Sequence, residues 1–174
     1  TGDTGNRIYS LGEICISNQA WTVAEKCFDY IVAKGSNHPL YIRAKIAMLS
    51  AAFEKTTESH YTQAELLTLE KQFTEALQAL GKNSITAPLM VQQAQLEAFY
   101  LDKVAEGRKV LEEVIAMPAL SPNYIAEVKL ALGDIMILDG DLWEASLTYS
   151  QVDKDFKHDA IGREAKFRNA RLSY

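Results

Sequence analysis

The stretch HPLYIRAKIAMLSAAF, residues 38–53, returns 83 positions later as SPNYIAEVKLALGDIM, residues 121–136. Each copy opens on a proline, Pro39 or Pro122, the residue that suits the first turn of a helix, where the missing N–H has no partner to lose. Tyr-Ile follows in both, as Tyr41-Ile42 and Tyr124-Ile125, and apolar residues then recur at helical spacing. A helix repeated at a fixed distance marks a stacked array, in which each unit buries its apolar face on its neighbours. Such an array offers extended surface rather than one enclosed reaction centre. The repeat therefore bears on the class of activity as well as on the fold.

Working outward, Leu132-Gly133, Ala145, Tyr149 and Val152 have counterparts 121 residues earlier in Leu11-Gly12, Ala24, Phe28 and Ile31, and Trp143 is matched by Trp21. Each set reads as one helical hairpin. Two more fit between them, one with helices near residues 39–55 and 61–80, the other over residues 87–116. Gly12, Ser50, Gln95 and Gly133 occupy one slot, at steps of 38, 45 and 38 residues, so a period of 38 accounts for all three if the second hairpin carries seven extra residues. The segment TTESHYT, residues 56–62, together with a lengthened second helix, supplies that surplus. No useful β-alternation occurs, and only four residues are proline. The spacing predicts an all-α chain of about nine helices with breaks near Asn18, Asn37, Ser59, Ser84, Lys103, Ser121, Gly140 and Lys157. One repeat domain over residues 1–174 would comprise hairpins at about 5–36, 39–82, 87–118 and 122–157 and a lone helix at 159–174. The opening TGDTGNR and the close within a helix read as the ends of a piece of a longer protein.

The Leu-Gly of the first helix, the Gly140-Asp141 turn, the Glu144-Ala145 pair and the aromatic Tyr149 together resemble the tetratricopeptide repeat (TPR) family, whose units of about 34 residues are helix-turn-helix hairpins. Residues 6–33 resemble it too, although their turn reads Asn18-Gln19, and the two central hairpins depart further, with Gly107 where alanine is usual and Leu111 where an aromatic is usual. The resemblance implies a right-handed superhelical solenoid of antiparallel hairpins. The longer 38-residue unit resembles divergent bacterial members associated with the cell envelope.

Gly12 with Ala24, and Gly133 with Ala145, would let two helices approach closely, with Phe28 and Tyr149 filling the wedge beside each contact. The chemistry-bearing residue types are scattered. His38, His60 and His158 fall in or beside loops, without a second histidine at ligand spacing. Cys15 and Cys27 read as two small apolar thiols rather than a disulfide. No CxxC, GxSxG or phosphate-cradling glycine loop is present, so the chain reads as non-catalytic and without a cofactor. A net charge of -5 with no basic stripe argues against nucleic acid, and no run of eighteen apolar residues exists to insert in a membrane. Arg163, Lys166, Arg168 and Arg171 are the one local concentration of positive charge, spread over much of a helix and suited to solvent or inter-repeat contact.

In the family that the chain resembles, first helices of successive hairpins line a concave groove. The corresponding stripe runs Asn6, Tyr9, Glu13, Ile16; Ala44, Ala47, Ala51, Glu54; Leu89, Gln92, Leu96, Phe99; and Glu127, Leu130, Asp134, Ile137. Tyr9, Glu13, Gln92, Phe99, Leu130 and Asp134 are the candidate binding residues, because aromatic or acidic groups there exceed what packing needs. Acidic side chains beside leucine and phenylalanine suit a peptide segment or partner protein that is apolar with some basic residues, and they disfavour a clamp for a C-terminal carboxylate. The expected function is a protein-binding scaffold, with assembly of an envelope complex as its setting. The alternative is a peptide- or ligand-sensing regulatory module. Self-association through the C-terminal end is a further expectation. Compartment stays open: the resemblance points to periplasm or cell envelope, the two lone cysteines to cytoplasm.

Overall fold

A computed structural model describes residues 5–172. Among them are nine α-helices and no strand, and every expected break lies between two helices. Ser173 and Tyr174, placed by the sequence at the end of the last helix, lie outside the described residues. The chain forms two compact units, with the boundary in sequence between Lys82 and Asn83.

The first unit holds α1 (Asn6–Ser17), α2 (Trp21–Val32), α3 (Tyr41–Glu58) and α4 (Gln63–Leu80), each packed on the next. Ala24, Phe28, Ile31 and Ala44 have no exposed surface and form its centre. Gly12 lies under the ring of Phe28, and a Cβ added there would come within 2.6 Å of Phe28 Cζ. The glycine is needed because the ring itself occupies the contact, rather than standing in a wedge beside it. The three-residue link to α2 turns through Gln19 in the left-handed region, at φ 57°. Gly140 takes the same region, at φ 80°, in the corresponding link of the second unit.

The surplus of the second hairpin is divided between helix and loop. Residues 56–58 continue α3, and Thr62 caps α4. The Thr62 hydroxyl accepts from Glu65 N, and the Glu65 carboxylate accepts from Thr62 N at 2.7 Å, a reciprocal cap that satisfies two otherwise orphaned donors. Pro39 does not enter the first turn of α3, as its sequence context suggested. It sits in the turn before it, where Tyr41 N donates to His38 O at 2.9 Å and Leu40 N to His38 Nδ1 at 3.1 Å.

The second unit holds α5 (Ala87–Tyr100), α6 (Val104–Ile115), α7 (Pro122–Leu138), α8 (Leu142–Asp155) and α9 (Ala160–Arg171). Consecutive helices pack on one another, and α7 also touches both α5 and α9, so these three alternate helices run side by side. Pro122 does open α7, behind the Ser121 hydroxyl, which accepts from Tyr124 N at 3.2 Å. Gly133 lies under Tyr149 as Gly12 lies under Phe28. Gly107, the departure from the alanine usual in the resembled family, brings α6 against the backbone of α5; a Cβ there would stand 2.6 Å from Ala94 O. Arg108 ties α6 to the α7–α8 turn through Asp139 at 3.2 Å and Asp141 at 3.3 Å. No helix among the described residues is long and apolar enough to cross a membrane.

Candidate functional site

Tyr9 and Glu13 belong to the first unit, and Gln92, Phe99, Leu130 and Asp134 to the second. Their environments differ sharply. Tyr9 is half-buried, its ring edge-on to Phe28 at 5.3 Å, with the Arg43 guanidinium 4.6 Å over its face. Its ring is thus part of the packing of the first unit. Leu130, proposed from the stripe, is 4% exposed and belongs to the interior of its unit. Ala44, Ala51, Leu89 and Leu96 on the same stripe are also buried. The reason is geometric: the packed neighbour, α2 for Ala44 and Ala51 on α3 and α6 or α7 for the residues on α5, consumes one arc of each helix, and a stripe of helical period falls partly within that arc.

Glu13 and Phe99 are exposed, and Gln92 is half-buried on α5. Phe99 keeps 42% of its surface free on a helix where Ala87, Leu89, Met90, Ala94 and Leu96 have none. Asp134 is half-buried and fully engaged. It accepts from the Tyr149 hydroxyl at 2.6 Å and from Arg168 Nη1 at 2.6 Å, so one carboxylate links α7, α8 and α9. Arg168 also reaches Glu164 at 2.7 Å. Burial opposes the Arg168 charge, and the Glu164 and Asp134 carboxylates outweigh it and hold it protonated. Burial, and then the adjacent Asp134 carboxylate, raise the Tyr149 phenol well above its ordinary range.

Around this network lies a cleft of about 300 Å³ lined by Asp134, Ile137, Tyr149, Arg168, Arg171 and Leu172. Its volume is at the lower end of the range for ligand sites and has room for one large side chain. Arg171, at the cleft, lies 5.9 Å from the centre of the Phe167 ring. The stripe placed Asp134 and Ile137 on this side; it did not reveal Tyr149, Arg168, Arg171 or Leu172, which come from α8 and from the end of α9. One signal was available. Where the first repeat has Phe28 and Glu13, this one has Tyr149 and Asp134, and a buried phenol requires an acceptor.

The cysteines remain thiols, Cys27 buried and Cys15 half-buried, with burial and then the neighbouring Cys15 pushing the Cys27 thiol up. No group of three His, Cys, Asp or Glu side chains converges among the described residues.

Neither a family model nor a curated protein matches the chain. A solved structure does: TTC0263, a thermophilic TPR protein of Thermus thermophilus, superposes over 97% of this chain and 80% of its own, with a TM-score of 0.76 and 17% identity. The fold is TPR-like. In TPR-like terms, α5, α7 and α9 are first helices, and α6 and α8 their partners. The glycines at 12 and 133 are the close-approach positions of the first and fourth hairpins.

Proposed function

We propose that the chain is a non-catalytic protein-interaction module that holds a peptide segment or partner protein on the face where α5, α7 and α9 lie side by side. The observation that carries this reading is the exposure of Phe99 on an otherwise deeply packed helix. A large aromatic left open beside a packed face is the kind of anchor around which interfaces concentrate their energy. Ile137 and the cleft at Tyr149 add apolar surface and room for one inserted side chain.

The charge of that face refines the partner. Asp134 is already matched by Arg168, so it exerts less pull on a basic partner than its sequence position suggested. Glu127 is the exposed acid of the stripe on α7. The best-fitting partner segment is predominantly apolar, with an aromatic or leucine side chain to meet Phe99 and few charges. Assembly of a multiprotein complex, such as one of the bacterial envelope, is the setting that this role and the resemblance support.

Site-specific photo-cross-linking in the intact protein tests the face. A photoreactive residue at position 99 or 137 should give discrete protein adducts, and one at the exposed Lys109 of α6 should not. Adducts from position 109 alone would remove the proposed face.

A further inference from the structure

Of the four hairpins, α3–α4 is the one with no glycine in either helix. Ser50 stands in the slot of Gly12 and Gly133, and Phe53 meets Phe73 edge to face, with ring centres 6.4 Å apart and planes at 79°. Two rings set this way fill the space between α3 and α4. α4 meets α3 along a narrower seam than joins the helices of the other hairpins.

The consequence is a trough within the first unit, with α3 as its floor and α2 and α4 as its walls. Two cavities of about 370 and 300 Å³ share Glu25, Ala52 and Gln72 and so run into one another. Met48, Leu49 and Ala52 of α3 make the floor apolar, and Leu69 continues that surface onto the α4 wall. From Met48 to Thr56 the floor spans about 12 Å at the helical rise per residue. That length matches about four residues of extended chain.

The rim is acidic. Glu25 and Asp29 stand one turn apart on α2, and Glu65 on α4, against the single lining cation Lys26. Lys55 answers Glu25 at 2.8 Å, whereas Asp29 is exposed and has no salt bridge among the described residues. A surplus of negative charge is thus left beside the apolar floor. Such a rim favours a basic group on an incoming chain and disfavours an acidic one.

We infer that this trough is a second docking site, for a short segment of a partner protein carrying one or two small or medium apolar side chains beside a lysine or arginine. The site is separate from the Phe99 face and differs from it in chemistry: it takes a basic segment, and the Phe99 face takes one of few charges. It arises from the missing glycine and the Phe53–Phe73 pair rather than from the regular repeat.

The test is a phage-displayed library of short random peptides, selected on the whole chain and rescreened against Asp29→Lys, Gln72→Trp and Phe99→Ala. Asp29 and Gln72 are exposed, so both trough variants should keep wild-type helicity by circular dichroism. The expected result is a class of clones rich in Lys or Arg beside apolar residues. Their affinity should fall about tenfold or more on Asp29→Lys or Gln72→Trp and stay unchanged on Phe99→Ala. Absence of such a class, acidic clones in the trough, or basic clones indifferent to both trough variants would overturn the proposal. So would a wild-type dimer that Gln72→Trp dissolves, since the occupant would then be a second copy. Loss of binding on Phe99→Ala alone would bear on the other face and count against the trough.

Discussion

The Tyr149 hydroxyl donates to the Asp134 carboxylate at 2.6 Å, from α8 to α7, while Arg168 of α9 closes on the other oxygen of the same group. One partly buried acid therefore joins three helices. Its charge is used in holding the second unit together before any partner arrives.

Tyr149→Phe keeps the ring over Gly133 and deletes only the donor. It should destabilise the chain by about 1.5–3 kcal/mol, the range for a hydrogen bond to a charged group. Chemical denaturation followed by circular dichroism measures it. Asp134→Lys, an obvious choice for testing a binding surface, should cost at least as much, because it sets a second cation against Arg168. A loss of binding in that variant would report on the fold as well as on the face.

Gly133→Leu should loosen or unfold the α7–α8 hairpin, since even a Cβ at that position overlaps the Tyr149 ring. Forcing larger side chains into a packed contact typically costs about 1–3 kcal/mol and sometimes more. Gly35 and Gly140 have open space around their Cα, but both have positive φ. The discriminating comparison is Gly133→Leu against a leucine at the exposed Lys109 of α6, which should leave the unfolding midpoint within a degree or two.

Gln19→Gly should be stabilising. Gln19 occupies the left-handed region at φ 57°, where an L side chain is strained by about 1–2 kcal/mol and glycine is not. The greater chain entropy of glycine in the unfolded state offsets part of that gain. A net rise of about 0.5–1 kcal/mol in unfolding free energy is expected, and a fall would show that the Gln19 side chain has an unrecognised role.

Alkaline pH should weaken the second unit. Burial, and then the charge of Glu127, push the Tyr124 phenol up to about 12, and Tyr149 is raised as well. A raised phenol binds its proton more tightly folded than unfolded, so its contribution is complete below the ordinary value of about 10. For Tyr124 that contribution is lost between about pH 10 and about pH 12. Tyr124→Phe should flatten this decline, and a difference titration of tyrosinate absorbance between the two proteins should place the missing ionisation near pH 12.

Much of the architecture was legible because repetition is a property of the chain itself. Two helices related by 83 residues and a glycine slot at steps of 38 and 45 locate the helix breaks. The binding stripe was less legible. Helical period locates a face but not how much of it a neighbouring helix consumes, so the stripe alone does not tell that Leu130 is buried or that Tyr9 packs on Phe28. Pairings across 15 and 34 residues, such as Tyr149 and Arg168 with Asp134, depend on how the helices stack. Only the Phe28-to-Tyr149 change between repeats hinted at them. The looseness of α3–α4 was hinted at by Ser50 in a glycine slot, but its consequence, a trough walled by α2 and α4, required the placement of three helices at once.

The decisive measurement is a calorimetric titration of the partner captured through position 99 into the wild-type chain and into Phe99→Ala, with helicity recorded on the same samples. A binding face centred on Phe99 requires an affinity loss of about 1–3 kcal/mol at unchanged helicity, the cost of removing an aromatic anchor. An affinity equal to wild type in the intact Phe99→Ala protein would contradict it and move binding to another surface of the chain.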